Sequence, residues 1–247
     1  MKGVLLAGGT GSRLYPLTRI TNKHLLPIYD RPMIAWSIEA LVNAGIDQIM
    51  LVTGGTHAGE FLRLLGNGNA FGVSRLQYGY QHQAGGIAEA LGEAEGFADG
   101  DPVLVMLADN VMERSIKTMV DAFRADPTGA RILLTPVAES EHLRHLGVPV
   151  LSAEGKIERI EEKPPEPASN FGVTGIYCYD ADVFSVIPKL EPSGRGELEI
   201  TDVNNHYIEQ GRMTYDVLEG FWGDAGESIE AYYAVNDFVR AHGANRP

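Results

Sequence analysis

The sequence predicts an α/β fold: a doubly wound, mostly parallel Rossmann-like sheet flanked by helices, with a smaller β elaboration on the substrate side. Short apolar runs typical of buried strands alternate with segments of helical spacing through the first half. Such alternation requires crossover connections between parallel strands. With 247 residues, 44% of them hydrophobic, the chain can bury the core of one large domain.

The first half supplies four predicted strands and three predicted helices. The strands cover residues 4–7, 48–53, 76–80 and 103–107, and the helices cover residues 33–43, 59–65 and 87–95. Ligands of doubly wound sheets bind beyond the carboxyl ends of the strands. The residues that follow the first and fourth strands are therefore candidates for a site.

The second half is less regular and predicts additional strands, some of them antiparallel. These strands cover residues 131–136, 148–151, 157–160 and 171–179, and helices are predicted over 181–187, 197–210 and 227–241. The only proline-rich patch, residues 164–167, is too short for a domain linker. We therefore expect the second half to be fused to the same sheet.

A glycine-rich loop directly after the first strand is the most informative motif. Gly8, Gly9 and Gly11 allow a tight turn whose backbone amides can approach a polyphosphate. The loop is neither a Walker A motif nor a complete dinucleotide fingerprint, because Leu14 stands where the last glycine of that fingerprint belongs. A plain tight turn explains the glycines equally well, but two nearby cations, Arg13 and Lys23, favour a phosphate site.

The charge balance restricts the partners of the chain. Lys and Arg number 20 and Asp and Glu 33, which gives a net charge of −13 and argues against a nucleic-acid surface. An acidic protein that binds anions must concentrate its cations locally, so Lys163 joins Arg13 and Lys23 as a candidate.

The single Cys178 excludes an intramolecular disulfide framework and predicts a buried thiol within an apolar run. No apolar stretch reaches the length of a membrane span, and no signal peptide is recognised. These features predict a cytoplasmic protein without a membrane partner.

Two aspartates are candidate ligands for Mg²⁺, which prefers oxygen donors. Asp109 ends a buried run, and Asp224 lies in a loop with three glycines. Either residue taken alone fits an Asx turn or an acid at a helix N-terminus as well. They can share a cation only if the fold brings their loops together. Two histidines, His142 and His145, have no third partner for a metal, and we interpret them as surface residues.

Together, these motifs resemble the signature of the sugar-1-phosphate nucleotidylyltransferases, in particular the short form of the thymidylyltransferases that act on glucose 1-phosphate. The opening motif reads Gly8-Gly9-Thr10-Gly11-Ser12-Arg13-Leu14-Tyr15-Pro16-Leu17-Thr18. Matching segments follow in order at residues 22–27, 85–91, 109–110, 161–164, 173–177 and 195–202. The resemblance runs from residue 1 to about residue 224.

The resemblance implies that glucose 1-phosphate attacks the α-phosphorus of dTTP, giving dTDP-glucose and pyrophosphate. It implies one domain over 1–247, with a nucleotide-binding half at 1–125 and a sugar-binding half at 126–247, in a homo-oligomer. Implied catalytic residues are Arg13 at the pyrophosphate, Lys23 at the α-phosphate and Lys163 at the sugar phosphate. The implied Mg²⁺ ligands are Asp109 and Asp224.

The remaining implied contacts divide between nucleotide and sugar. Gly8, Gly9 and Gly11 would hold the triphosphate, and Gln81 and the backbone at Gly86 would read the base. The hexose contacts would be Asn110, Gly147, Glu162 and the backbone at Val173. Since a glutamine amide both donates and accepts, Gln81 is expected to pair with N3–H and O4 of thymine or uracil.

Three positions depart from the family pattern. Ala108 replaces a glycine beside Asp109, Pro149 removes a backbone donor near the sugar, and Glu227 stands where threonine is frequent. The alternatives are a uridylyltransferase, an enzyme for another hexose 1-phosphate, and a catalytically silent nucleotide-sugar sensor. A nicotinamide-dependent oxidoreductase is disfavoured by the incomplete glycine fingerprint.

Overall fold

The computed structural model describes residues 1–247, which form thirteen strands and nine α-helices. The strands are β1 (Lys2–Ala7), β2 (Pro27–Ile28), β3 (Arg31–Pro32), β4 (Gln48–Gly54), β5 (Arg75–Gln81), β6 (Val103–Leu107), β7 (Asn110–Met112), β8 (Ala130–Pro136), β9 (Gly147–Leu151), β10 (Ile157–Glu162), β11 (Phe171–Tyr179), β12 (Met213–Val217) and β13 (Trp222–Asp224). The helices are α1 (Met33–Asn43), α2 (Ala58–Leu65), α3 (Ile87–Gly92), α4 (Glu95–Ala98), α5 (Lys117–Ala125), α6 (Ser140–Leu143), α7 (Val183–Val186), α8 (Ile200–Glu209) and α9 (Ile229–His242).

Seven strands form the central sheet in the order β12-β8-β11-β6-β1-β4-β5. Strand β1 pairs in parallel with β4 and β6, whereas β11 is antiparallel to both of its neighbours. Alternate residues of β1 enter different apolar clusters, Val4 and Leu6 in one and Leu5 and Ala7 in the other. The sheet is therefore mostly parallel and covered on both faces, which confirms the predicted fold class.

Most predicted elements are present, but three predicted helices differ in length. The helix predicted over 87–95 is interrupted, because α3 ends at Gly92 and α4 begins at Glu95. Helix α8 begins at Ile200 rather than 197, since Leu198 is instead engaged in backbone hydrogen bonds with Gly85 and Ala88. The helix predicted over 181–187 is reduced to the single turn α7, which continues as a 3₁₀ turn containing a proline.

One strand of the main sheet, β12, and one helix packed against it, α5, were not predicted. Strand β12 adds an edge to the sheet in parallel with β8. Helix α5 buries Met119, Val120 and Phe123, which have helical spacing. No helix of the molecule is both long and apolar enough to span a bilayer.

Strand pairs outside the main sheet connect the two halves of the chain. Strand β13 pairs antiparallel with β7, and the C-terminal Asn245 donates to the carbonyls of Met112 and Trp36. Strands from the second half also continue the main sheet beyond β6. Residues 1–125 and 126–247 are therefore interlocked, although the predicted roles of the two halves remain predictions.

Candidate functional site

A cleft of about 500 Å³ lies beyond the carboxyl ends of β1, β5 and β6. Most of the residues predicted for the nucleotide, the metal and catalysis line it: Gly8, Gly9, Arg13, Lys23, Gln81, Gly86, Asp109, Lys163 and Asp224. A smaller cavity of about 150 Å³ shares Arg13, Lys163 and Asp224 with the cleft. All four predicted hexose contacts line this second cavity: Asn110, Gly147, Glu162 and Val173.

Gly11 is the one predicted site residue that lines neither cavity. It has a φ of 64° and precedes the 3₁₀ turn Ser12–Leu14, which carries Arg13. Its carbonyl accepts a hydrogen bond from the hydroxyl of Thr18 at 2.8 Å. Gly11 therefore shapes the loop and does not form the wall of the cleft. Its predicted contact with the triphosphate stays a prediction.

Asp109 and Asp224 meet because β7 and β13 pair directly after the main sheet. Asp224 lies opposite Asn110 in this pairing, and the amide of Ala225 donates to the Asp109 carbonyl at 2.9 Å. Asp109 is not a helix cap, because β7 follows it. Asp224 forms an Asx turn through the Gly226 amide, whereas the N-cap of α9 is Ser228. The fold thus joins two carboxylates that are 115 positions apart in the sequence.

Lys23 lies near both carboxylates and pairs with Oδ2 of Asp109. An ideal Cβ on Gly226 would lie 2.5 Å from Asp109 Oδ2, 2.7 Å from Lys23 Nζ and 3.2 Å from Asp224 Oδ1. Only a glycine leaves space at this point, where the three charged groups converge.

The pKa values of this cluster reflect two buried carboxylates that share one ammonium. Burial opposes ionisation of Asp109, but the Lys23 charge outweighs it and holds the pKa of Asp109 below its usual range. Burial together with the Asp109 charge raises the pKa of Asp224 to about 7. Burial also lowers the pKa of Lys23, but Asp109 and Asp224 outweigh this and raise it overall. One negative charge is left without a partner when both carboxylates are ionised.

This donor set fits a hard divalent cation. Two carboxylates with an excess negative charge suit an ion that takes oxygen ligands and keeps waters or phosphate oxygens as its other ligands. No group of three or more His, Cys, Asp or Glu side chains could hold a metal by itself. The protein would therefore share such an ion with a phosphate ligand.

His24 is a buried neighbour of the cluster that the sequence did not single out. Its Nδ1 lies 2.8 Å from Asn22 Oδ1, and its Nε2 lies 4.0 Å from Asp109 Oδ2. Burial, together with the charge of Lys23, lowers the pKa of His24 to about 3. The imidazole is therefore neutral and supports the loop that carries Lys23.

Gln81 is fixed in one orientation at the end of β5. Its Nε2 donates to the Gly86 carbonyl at 3.1 Å and to Glu89 Oε2 at 2.7 Å. Both protons of the amide are thereby used, and only Oε1 remains for a ligand. The expectation that Gln81 both donates to and accepts from a base is therefore wrong: it presents an acceptor only.

The wall shared by the two cavities carries Glu162 and Lys163. Glu162 Oε2 accepts from the Thr201 hydroxyl at 2.6 Å, and Oε1 lies 3.2 Å from Lys163 Nζ. Lys163 adopts a left-handed φ of 47°, uncommon for a residue with a side chain. Asn110 is buried, and its Oδ1 accepts from the amide of Gly175 and the indole of Trp222.

Several residues of the site were missed by sequence reasoning. They line one or both cavities and bring charge or hydrogen-bonding groups to the wall: His24, Arg195, Glu199, Thr201 and Trp222. Arg195 and Thr201 lie within a segment that carries the family resemblance, and this was the available signal. Their contacts with Glu162 join positions 33 and 39 apart, which spacing alone cannot reveal.

The side chain of His142 is 32% exposed, so its interpretation as a surface residue holds only in part, because the side chain also has specific partners. Its ring stacks on Trp222, with centroids 5.9 Å apart, and its Nε2 lies 2.9 Å from Glu227 Oε2. This contact with Glu227 raises the pKa of His142. The glutamate at position 227 thus joins the loop after β13 to α6 through His142. His145 is exposed, as that interpretation expects, and it also lines the smaller cavity.

The other two departures leave the site intact. Ala108 is buried, and its carbonyl accepts from Ser37 at 3.1 Å. Pro149 lies outside both cavity walls. It faces Ile160 in β10, whose backbone groups are bonded by the Asn205 side chain, so the missing donor breaks no pairing.

A larger cavity of about 930 Å³ lies elsewhere, between α5, the end of β12 and the C-terminal residues. None of the predicted site residues lines it. It also lacks a glycine loop, and its ammonium–carboxylate pair, Lys117 and Asp121, is exposed on α5, so we assign the chemistry to the smaller cleft.

A comparison with protein families matches residues 2–242 to the nucleotidyl transferase model. A glucose-1-phosphate thymidylyltransferase of Actinoplanes sp. is 42% identical over 98% of this chain and 78% of its own length. That of Neisseria meningitidis is 39% identical over 97% of this chain and 83% of its own.

Solved structures give the same result. A Bacillus anthracis chain described as a glucose-1-phosphate thymidylyltransferase, in complex with sucrose, is 46% identical. It superimposes with a TM-score of 0.91 over 97% of this chain and 95% of its own. A UDP-glucose pyrophosphorylase with UDP-glucose bound has a TM-score of 0.83 over 97% of this chain and 98% of its own. At 24% identity, it shows similarity of fold alone.

Proposed function

Because the chain belongs to the nucleotidyl transferase family, we propose that it transfers a thymidylyl group from dTTP to α-D-glucose 1-phosphate. The products are dTDP-glucose and pyrophosphate. Similarity to glucose-1-phosphate thymidylyltransferases over nearly the whole chain supports this activity. The observation that carries it is the shared wall of two cavities, on which Arg13, Lys163 and Asp224 face both a glycine-loop cleft and a smaller polar cavity.

The reaction is one displacement at the α-phosphorus of the nucleotide. A phosphate oxygen of glucose 1-phosphate forms the new P–O bond, and the bond to the bridging oxygen of the departing pyrophosphate breaks. Since no covalent intermediate with the protein is needed, catalysis consists of positioning and charge neutralisation. The cleft supplies both.

Each cation has a separate phosphate in this scheme. Arg13 stabilises the departing pyrophosphate, and Lys23 binds the α-phosphate. Lys163 orients the phosphate of the sugar, so that its oxygen is in line for attack. The amides of Gly8 and Gly9 hold the triphosphate, while Gly11 acts indirectly through the turn that carries Arg13.

Asp109 and Asp224 are the proposed ligands of a divalent cation, which we take to be Mg²⁺. When bound, this ion would supply positive charge that offsets the charge on the phosphates. The excess negative charge of the two carboxylates and their convergence with Lys23 support this assignment.

The small cavity suits a hexose bound by hydrogen bonds. Glu162, held by the Thr201 hydroxyl, offers acceptors to sugar hydroxyls. The Asn110 Nδ2 donates one hydrogen bond to Asp109 Oδ1 and has a second N–H available for the sugar. Gly147 and Val173 offer backbone groups to the sugar. Gln81 and Gly86 read the base. Since thymine and uracil have identical N3–H and O4 groups, these two residues do not separate dTTP from UTP.

The test is pyrophosphate release with Mg²⁺ and glucose 1-phosphate, using dTTP, UTP, dCTP, ATP and GTP in turn. Release with dTTP well above the others is the expected result. Comparable release with UTP would make the activity dual or uridylyl-selective. If none of the five nucleotides gives pyrophosphate release, glucose 1-phosphate is rejected as the acceptor, and a panel of hexose 1-phosphates is tested next.

Homo-oligomer formation and a cytoplasmic location remain predictions. Light scattering of the purified chain tests the oligomeric state.

A further inference from the structure

The orientation of the Gln81 amide is set by two acceptors. Gln81 is buried, and its Nε2 donates to the Gly86 carbonyl and to Glu89 Oε2. A carbonyl and a carboxylate can only accept at these positions, so the NH₂ group must face them. The Gln81 Oε1 lies on the side of the glycine loop, 3.2 Å from an ideal Cβ on Gly8.

The Glu89 carboxylate has room to reach Gln81 because Gly85, which lies next to it in space, has no side chain. Glu89 lies in the first turn of α3. An ideal Cβ on Gly85 would lie 2.1 Å from its Oε2, so any other residue at position 85 would displace the Glu89 carboxylate from this position. The loop from Gly85 to Glu89 is therefore built to bring a carboxylate against the Gln81 amide.

The same loop leaves a backbone donor free. The Gly86 carbonyl accepts from Gln81 and from the amide of Ala90, but the Gly86 N–H donates to no protein group. Gly86 and Gln81 both line the cleft. Of these two residues, Gln81 therefore has an acceptor available, its Oε1, and Gly86 has a donor available, its N–H.

We infer that Glu89 is a positioning residue that gives Gln81 its selectivity for an imide base, an inference that rests on the proposed function. Thymine presents a donor at N3 and an acceptor at O4, which complements this pair of groups. Cytosine presents the reverse, an acceptor at N3 and a donor at N4. To bind cytosine, the Gln81 amide must turn over, which places its Oε1 against the Glu89 carboxylate and the Gly86 carbonyl. Glu89 thereby fixes the Gln81 amide so that only its oxygen, an acceptor, faces the base.

The decisive variant is Glu89→Gln, which keeps the size of the side chain and lets it donate to a turned Gln81. We expect kcat/KM for dTTP to change by a few-fold at most. The ratio of kcat/KM for dTTP to that for dCTP should fall by at least about tenfold. Glu93→Gln is the matched control, because Glu93 is exposed at the end of the same helix, and it should leave the ratio unchanged.

A second pair of variants distinguishes positioning from general damage. In a Gln81→Ala background, Glu89→Gln should not alter the nucleotide ratio further, since its effect acts through Gln81. Equal losses for both nucleotides, or an unchanged ratio in Glu89→Gln, would overturn the inference. The inference would also be overturned if Glu89→Gln shifted the dTTP-to-dCTP ratio as much in the Gln81→Ala background as in the wild type.

Calorimetric Kd values for dTTP and dCTP keep this test independent of turnover. Loss of dTTP preference in binding by Glu89→Gln supports the inference even if the sugar substrate is not glucose 1-phosphate. Absence of any dTTP preference in the wild-type chain would contradict the proposed function and, with it, this inference.

Discussion

At the scale of single residues, the site is defined by charges that the fold does not balance. Asp109 has Lys23 as a partner, whereas Asp224 has a pKa raised to about 7 by burial and by Asp109. Such an arrangement costs stability in the free protein and provides affinity for a cation.

Asp224→Asn should therefore make the protein more stable and less active. We expect turnover to fall on the order of 100-fold, and the midpoint of thermal unfolding in EDTA at pH 8 to rise by at least about 2 °C. Between its unfolded pKa near 3.8 and its folded pKa, unfolding releases a proton from Asp224, so its cost grows as the pH rises. The gain should thus vanish near pH 4.

Asp109→Asn provides the contrast, because Asp109 is the carboxylate paired with Lys23. This variant should lose turnover and also lose stability at pH 8. If Asp224→Asn lowers the midpoint of thermal unfolding as Asp109→Asn does, then the claim that Lys23 pairs with Asp109 and leaves Asp224 without a partner is wrong. Full turnover in either variant would remove that residue from the metal site.

Lys163 gives a second prediction at this scale. Its side chain is 40% exposed, next to Glu162 on the shared wall, so Lys163→Ala should not unfold the protein. We expect KM for glucose 1-phosphate to rise at least about tenfold, because a charge-assisted contact with its phosphate is lost, while KM for dTTP changes little. Lys156→Ala, in the turn between β9 and β10, is the control. Equal increases of both KM values would contradict the assignment.

The residues of the site were largely predictable from motifs, and their geometry was not. Gln81 was expected to read a base, but its single available acceptor depends on Glu89 and the Gly86 carbonyl. The role of Gly11 at the triphosphate stays a prediction, because spacing does not tell a wall residue from one that shapes the turn. Side-chain partners distant in sequence, such as Thr201 on Glu162, follow only from the fold.

At the scale of elements, the shortest strands position the chemistry. β7 and β13 have three residues each, too few for a hydrophobic period to appear in the sequence. The long strands and helices of the first half were predictable, because they combine apolar runs with clear breaks. Helix α5 was missed despite its helical spacing, since charged residues dominate its surface.

The contact between α6 and β13 predicts a pH-dependent contribution to stability. The pKa of His142 is raised by Glu227, so its contribution is complete below about pH 6.5 and is lost as the pH rises through its folded pKa. His142→Phe keeps a ring on Trp222 and removes the charge. The wild type should unfold about 2 °C above this variant at pH 6, and the difference should shrink by pH 9.

The control for this prediction is Arg144→Ala, which removes an exposed charge from the same segment. Its effect on the midpoint should not vary between pH 6 and pH 9. A constant difference between wild type and His142→Phe over this range would show that the ion pair contributes nothing.

At the scale of the whole molecule, one central sheet contains strands from both halves of the chain. The sheet continues from β6 into β11, β8 and β12, while β13 and Asn245 return to the first half. We expect one cooperative unfolding transition, because neither half retains a complete sheet or site when separated.

The two tryptophans allow this to be measured, since Trp36 lies in α1 and Trp222 in β13. Fluorescence of Trp36→Phe and Trp222→Phe variants reports each half separately. Each variant should unfold with the same denaturant midpoint by fluorescence and by far-UV circular dichroism. Two midpoints within one variant would mean that residues 1–125 and 126–247 unfold independently.

The burial of Cys178 has a practical consequence for the protein. As predicted, its side chain is fully buried, in β11, an inner strand of the sheet. Burial also raises the pKa of the thiol, which suppresses the reactive thiolate. A maleimide label can therefore reach this only cysteine of the chain when the sheet itself opens. The rate at which maleimide labels Cys178, followed by mass spectrometry, therefore reports how often the sheet opens, even in crowded extracts. No further cysteine or fusion tag has to be introduced.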